Sequence, residues 1–358
     1  CLKKKVRLQR GSKFVSEKHS HENISEQELE KVLRKRGSDY DCMVATHKRQ
    51  KAFEENVAKS LTDMGIKVEM ASRYCIFYLI KWCDVVVPCG GDGTFLLAAS
   101  RSNGFLYLFH SKPVIGFNSS PKKSVGRLCL PTWCSNDVKG AFQALKEVCC
   151  SFTDYLFEIH YKVTVLGPKL VKTLNTLITK YFFFVAQVFI GESVTSRVSL
   201  LRLQIDNGAW SHTKSSGLCV TTGTGSTSWH FSINCLRTQS VQELMKILSE
   251  QFGVQIDTAL EKAREVTEKY NQKLMFAADS DQLAYSVREY ITFEEWPTPR
   301  GLKVRDRASS VKVKSHCTDA GLVIDGSVSF PFNDGTEAIL EIHPEDSLMT
   351  VQMDDDRP

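Results

Sequence analysis

Between residues 47 and 64 the apolar side chains of Phe53, Val57 and Leu61 recur every four positions, the period that gives an α-helix one apolar face. Gly65 follows, where a helix can end on a left-handed residue. Residues 66–70 then alternate like a strand, a helix is predicted over about 74–82, and the β-branched run at 84–88 reads as a short buried strand. Upstream, Ser25 followed by Gln27 and Glu28 predicts a capped helix over 25–36. Downstream, the pattern predicts a helix at 95–102, a buried strand at 113–117, and a helix at 137–148 with Val138, Ala141, Phe142 and Leu145 on one face. Helix and strand alternating in this way imply an α/β layer with a parallel sheet.

Near residue 151 the pattern changes. Short alternating runs at 161–166, 185–190, 198–205 and 218–221 read as strands, and the aromatic run at 181–185 as a buried one. Asp206-Asn207-Gly208 is a hairpin signal, and Asn333-Asp334-Gly335 marks another turn. A helical insertion at about 239–274 interrupts the strands, which return at 311–314, 322–324, 327–332 and 338–342. The expected fold class is an N-terminal α/β domain with a parallel sheet plus a β-rich C-terminal domain. The expected division is a basic and polar segment at 1–24, the α/β domain at 25–150, and the β-rich domain at 151–358.

Composition narrows the classes. The 358 residues are 42% hydrophobic and 24% charged, as in ordinary globular proteins. A net charge of +5 suits a protein that handles phosphates and is too mild to indicate a nucleic-acid partner. No apolar run reaches about 18 residues, so no membrane span is expected. The twelve cysteines form no CxxC pair and no zinc spacing, so reduced thiols and no protein metal site are expected. The start is acid-free up to residue 16 and carries Lys3, Lys4, Lys5, Arg7, Arg10 and Lys13. Those residues fit the tail of a mitochondrial transit segment and equally a solvated basic terminus.

Two segments carry chemistry. Gly90-Gly91-Asp92-Gly93-Thr94 lies between a buried strand and a helix, where ligands bind in open α/β sheets. Glycines let the backbone approach phosphates, and a helix N-terminus offers free N–H groups. An acid there would repel phosphate if it only lined the cradle, so Asp92 reads as a general base for an attacking hydroxyl or as a ligand to Mg²⁺. The bland reading is a tight turn with Asp92 as helix cap. The second segment, Thr222-Gly223-Thr224-Gly225-Ser226-Thr227-Ser228-Trp229, offers hydroxyls and glycines for phosphates or sugar hydroxyls. Trp229 could stack on a base or anchor the core. Alone, this segment is as readily an ordinary polar turn.

Together the two segments resemble the NAD kinase family. The first matches its GGDG motif, and Thr224-Gly225-Ser226-Thr227-Ser228-Trp229 its TGSTAY-like motif. Residues 113–118, 124–131, 188–193, 214–218 and 329–335 are similar to the animal mitochondrial branch, and the resemblance spans roughly 25–352. GGDG alone also occurs in diacylglycerol-type lipid kinases and phosphofructokinases. The resemblance implies ATP-dependent phosphorylation of NAD to NADP with Mg²⁺ or another divalent cation, in the mitochondrial matrix, by a homodimer. It assigns Asp92 to the attack by the ribose 2′-hydroxyl. Gly90, Gly91, Gly93 and Thr94 would approach phosphates, and Asn118 would lie near the same cleft. Thr222, Gly223, Thr224, Gly225, Ser226 and Trp229 would line the nucleotide site, with Thr224, Gly225 and Ser226 in the cleft between the domains.

One departure stands out. The family carries Asn-Glu before the strand at 188–190, and this chain has Ala186 and Gln187. The substitution keeps open a catalytically weak or inactive NAD(P)-binding homologue, and GGDG alone a lipid kinase.

Overall fold

The computed structural model describes residues 5–9, 13–20, 25–71, 83, 85–102, 113–122, 126–148, 157–158, 161–166, 186–291, 302–326, 328–343, 348–351 and 353. The helix expected at 74–82 and the run at 181–185 lie outside the described residues. Two compact units are present, Cys1–Phe157 with Leu348–Pro358, and Glu158–Ser347.

In the first unit, Ser25 and Glu28 form the expected start: the Ser25 hydroxyl accepts the Glu28 N–H at 3.3 Å while the Glu28 carboxylate accepts the Ser25 N–H at 2.9 Å. This box begins helix α2 (Glu26–Lys35), which follows α1 (Lys13–Ser20). Helix α3 runs Tyr40–Asp63, beginning well before the predicted position. The reason is Asp39, whose carboxylate caps the Cys42 N–H at 2.9 Å, a start signal outside the apolar repeat.

Strand β1 (Lys5–Gln9) pairs in parallel with β2 (Lys67–Ala71) and with β3 (Val85–Pro88). The basic start therefore contributes a strand that charge reading overlooked, although Val6 and Leu8 alternate with polar neighbours. Residues 113–117 touch β3 through two parallel bridges, Val86 with Val114 and Cys89 with Phe117, rather than as a full strand. Helix α4 (Asp92–Ser102) follows β3, and α5 (Val138–Val148) lies further on. The core joins Val57 and Leu61 of α3 to Val87, Phe117, Ala141 and Phe142, with the Phe117 and Phe142 rings 5.2 Å apart.

The second unit holds two antiparallel sheets. Its strands are β4 (Tyr161–Leu166), β5 (Gln187–Glu192), β6 (Ser199–Ile205), β7 (Ser211–Ser215), β8 (Gly217–Thr221), β9 (Leu283–Arg288), β10 (Arg305–Ala308), β11 (Ser310–Ser315), β12 (Ala320–Ile324), β13 (Val328–Pro331) and β14 (Glu337–Ile342). One sheet runs β10-β9-β8-β5-β12-β13 and the other β4-β14-β11-β6-β7. Alternate residues of both, among them Val188, Ile190, Leu201, Leu203, Val220 and Leu340, share one apolar core. Asp206 and Asn207, at φ 48° and 59°, make the expected hairpin between β6 and β7. The insertion is a pair of helices, α7 (Thr238–Phe252) and α8 (Leu260–Gln272), preceded by the short α6 (Trp229–Asn234).

Candidate active site

Gly90 lies two residues beyond β3, and its N–H donates to the Phe117 carbonyl at 2.9 Å. A Cβ at Gly90 would collide with the Thr94 hydroxyl, which is why this position excludes side chains. The chain then turns into α4 through Thr94 and Phe95, whose N–H groups reach the Gly91 carbonyl at 2.9 and 3.2 Å. Gly93 has open space around it.

Asp92 does not act as a plain helix cap. Its two carboxylate oxygens accept backbone N–H groups of another loop, Leu128 at 2.9 Å and Arg127 at 3.2 Å. Each oxygen keeps a lone pair, so the carboxylate is oriented yet still able to accept a proton from a third group. Gly126 is in the left-handed region at φ 63°, a Cβ there would strike the Asn118 amide, and Asn118 accepts the Ser120 N–H at 2.9 Å. The GGDG turn, Asn118 and the 126–128 loop thus form one cluster. The Cys129 thiol there is pushed up to about 12 by burial and by the Asp92 charge, so it stays protonated at neutral pH.

In the second unit, the segment after β8 is a single 3-10 turn, Thr224–Thr227, leading into α6. Two of its hydroxyls turn inward. Thr222 Oγ1 donates to the Ala186 carbonyl at 3.2 Å, and Ser226 Oγ donates to the Gly223 carbonyl at 2.6 Å while accepting the Phe276 N–H at 3.3 Å. These bonds shape the loop from within. Thr224 differs: its Oγ1 is buried and has no protein partner, a position that calls for one. Gly223 and Gly225 are obligatory, since a Cβ would strike the Ala277 and Ala186 carbonyls respectively. Trp229 stacks on Phe189 at 4.4 Å between ring centres with Arg288 nearby at 6.0 Å, and remains 39% exposed.

The chain is 31% identical over 379 aligned positions to the protein named NAD kinase 2, mitochondrial, of Homo sapiens, an alignment spanning 95% of this chain and 81% of that protein. The Rattus norvegicus protein of the same name is 32% identical over 376 positions, spanning 94% and 84%. The chain belongs to the NAD kinase family. No protein-family profile matches it. Two solved structures share its fold at 14% identity each: an NAD kinase from Archaeoglobus fulgidus in complex with ATP, with a TM-score of 0.52 over 95% of this chain and 90% of that one, and a yeast NADH kinase complexed with NADH, at 0.54 over 98% and 84%.

Within this NAD kinase, the departure at 186–187 is used in a particular way. Ala186 is buried, and its carbonyl accepts the Thr222 N–H at 3.0 Å and the Thr221 hydroxyl at 2.9 Å in addition to Thr222 Oγ1. Gln187 Oε1 accepts the Trp229 N–H at 3.2 Å. Sequence reasoning missed the supports: the 127–128 amides, the 276–277 backbone, and Asp325, whose carboxylate accepts the Gln187 and Ala186 N–H groups at 2.9 and 3.3 Å. Only Asp325-Gly326 carried a signal, as a turn dipeptide after a strand. Burial pushes the Asp325 carboxyl up to about 6 against the pull of those two amides.

Among the described residues no group of three or more His, Cys, Asp or Glu could hold a metal ion. None of the described helices is long and apolar enough to cross a membrane.

Proposed function

We propose that this chain is an active NAD kinase, transferring the γ-phosphoryl group of ATP to the 2′-hydroxyl of the adenosine ribose of NAD. The observation that carries this reading is the Asp92 carboxylate, aimed by two amides at the end of a strand and the start of a helix. A base so placed accepts the hydroxyl proton as the ribose oxygen bonds to phosphorus and the bond to ADP breaks. Gly90, Gly91, Gly93 and Thr94 lie where phosphates approach. Thr224 Oγ1 would complete its hydrogen bonding on the nucleotide, and the exposed part of Trp229 suits contact with an aromatic base.

A divalent cation fits this donor set only as one carried by ATP. Among the described residues Asp92 supplies a single carboxylate without a protein cage around it, the arrangement Mg²⁺ uses when phosphates and water fill its octahedron. Bound there, the cation would offset charge on the phosphates.

The names of the relatives support a mitochondrial location, which we extend to the matrix, and we extend the resemblance to a homodimer. The α/β plus β-rich arrangement of domains belongs to the same reading. A second reading, an NAD(P)-binding protein without turnover, is favoured by one observation: Ala186 has no polar side chain and the Gln187 oxygen is engaged by Trp229. The deciding experiment incubates purified protein with ATP, Mg²⁺ and NAD and reads NADP with an NADP-specific dehydrogenase. NADP formation is expected. Calorimetric NAD binding without NADP would establish the second reading instead.

A further inference from the structure

We propose that Asp325 is a positioning residue for the 222–229 loop, because its carboxylate holds the peptide at Ala186–Gln187 on which that loop is built.

The geometry begins where the sheet ends. Strand β12 stops at Ile324, opposite Val188 of β5. Beyond it the chain turns away through Asp325 and Gly326, both left-handed at φ 47° and 65°. The Asp325 N–H still donates to the Gln187 carbonyl at 3.0 Å, but no further backbone of β12 continues alongside residues 186 and 187. The Asp325 side chain takes that place, one oxygen on the Gln187 N–H and the other on the Ala186 N–H.

The far side of the same peptide carries the loop. The Ala186 carbonyl accepts three donors, from Thr221 Oγ1, Thr222 Oγ1 and the Thr222 N–H. Gly225 lies against that carbonyl with no room for a side chain. The Gln187 side chain caps the Trp229 N–H. Residues 186–187 are therefore held by Asp325 from one side and hold both ends of the loop from the other.

The choice of residue supports a role beyond closing a sheet. An ionised carboxylate in this buried site carries a desolvation cost, and among the described residues no charged neighbour offsets it. A neutral side chain would avoid that cost. Only a carboxylate, however, presents two acceptors and no donor, which is what two converging N–H groups require. Asn would turn its NH₂ toward one of them.

What the loop holds is taken from the kinase reading, but the positioning itself is independent of it, so the test has two arms. In the first, hydrogen exchange of the ligand-free protein is followed by mass spectrometry in wild type, Asp325→Asn and Asp325→Ala. Peptides covering 222–230 should exchange roughly tenfold faster in both variants, while the α7–α8 helices stay unchanged. Unchanged exchange at 222–230 in a folded variant overturns the inference, whatever the enzyme does. In the second arm, Asp325→Asn and Thr222→Val should each raise KM for NAD by roughly fivefold or more with kcat within about twofold. The double variant should be little worse than either, since both act through the Ala186 peptide. Additive effects, or a fall in melting temperature with KM intact, would make Asp325 a sheet-end lock only. A wild type that makes no NADP counts against the kinase reading, and the exchange arm then decides the inference alone.

Discussion

Replacing Asp92 with Asn separates catalysis from scaffolding, and the geometry sets the size of each effect. Asn keeps one acceptor oxygen, while two amides point at the carboxylate. The better bond, from Leu128 at 2.9 Å, is partly buried and would keep the oxygen; the more exposed Arg127 N–H would meet the NH₂. Losing that exposed bond costs about 1 kcal/mol, or roughly 2–4 °C in melting temperature for a unit of this size. The chemical effect is larger. Removing a general base lowers turnover roughly 10²–10⁴-fold, about 3–5 kcal/mol of activation free energy. The expected result is a protein that melts a few degrees lower, binds NAD and ATP nearly as before, and has almost no kcat. The assay is steady-state kinetics in both substrates beside a thermal melt. A variant retaining more than about a third of wild-type kcat would refute the role of Asp92 as base.

Three further outcomes are expected. Gly223→Ala drives a Cβ into the Ala277 carbonyl and should destabilise the protein by about 1–3 kcal/mol; an unchanged urea midpoint would mean that the 275–278 segment yields freely. Gln187→Glu keeps the acceptor for Trp229 and adds charge, so KM for NAD should fall with kcat nearly constant, and an unchanged KM would confine this side chain to structure. His230 is buried against Ser286 and pushed down to about 4, by burial first and then by Arg305 and Arg307. Between about pH 6.5 and pH 4 the unfolded chain therefore binds more protons than the folded one, and stability is lost as pH falls through that window, by on the order of 3 kcal/mol at most. Urea midpoints at pH 7.5 and pH 5 should show this loss in wild type and much less of it in His230→Gln.

What could be read from the sequence was whatever lies in local pattern. The apolar period placed α3 and α5, and Asp206-Asn207-Gly208 announced its hairpin because both central residues must adopt positive φ. The two glycine-rich segments were legible as well, since close approach of the Thr94 side chain at Gly90, and of backbone carbonyls at Gly223 and Gly225, leaves no room for a Cβ. What the sequence hid is non-local. Nothing near Asp92 says that residues 127–128 will orient it, and nothing near Thr222 says that the Ala186 carbonyl will collect three donors from Thr221 and Thr222. Strand β1 was hidden for a different reason. Its Lys and Arg residues drew attention to charge, while Val6 and Leu8 carried the period that mattered.

The hidden contacts also change what the substitutions at 186 and 187 mean. If the family's Asn-Glu pair served mainly to build the loop, Ala and Gln would break it. Here the building is done by groups that the substitutions preserve: the 186 carbonyl, the two N–H groups and one side-chain oxygen at 187. What Ala186 and Gln187 remove is a polar side chain at 186 and an anion at 187, which in the proposed reading bears on substrate contact rather than on the scaffold. Loss of one such contact typically costs about 1–3 kcal/mol, or roughly tenfold in affinity. Asp92 has its own amide supports in the other unit, so the proton-accepting role proposed for it does not depend on these side chains. The two effects fall on different kinetic constants. A weakened grip on NAD raises KM, whereas an inactive homologue loses kcat, and it is the first pattern that these residues lead us to expect.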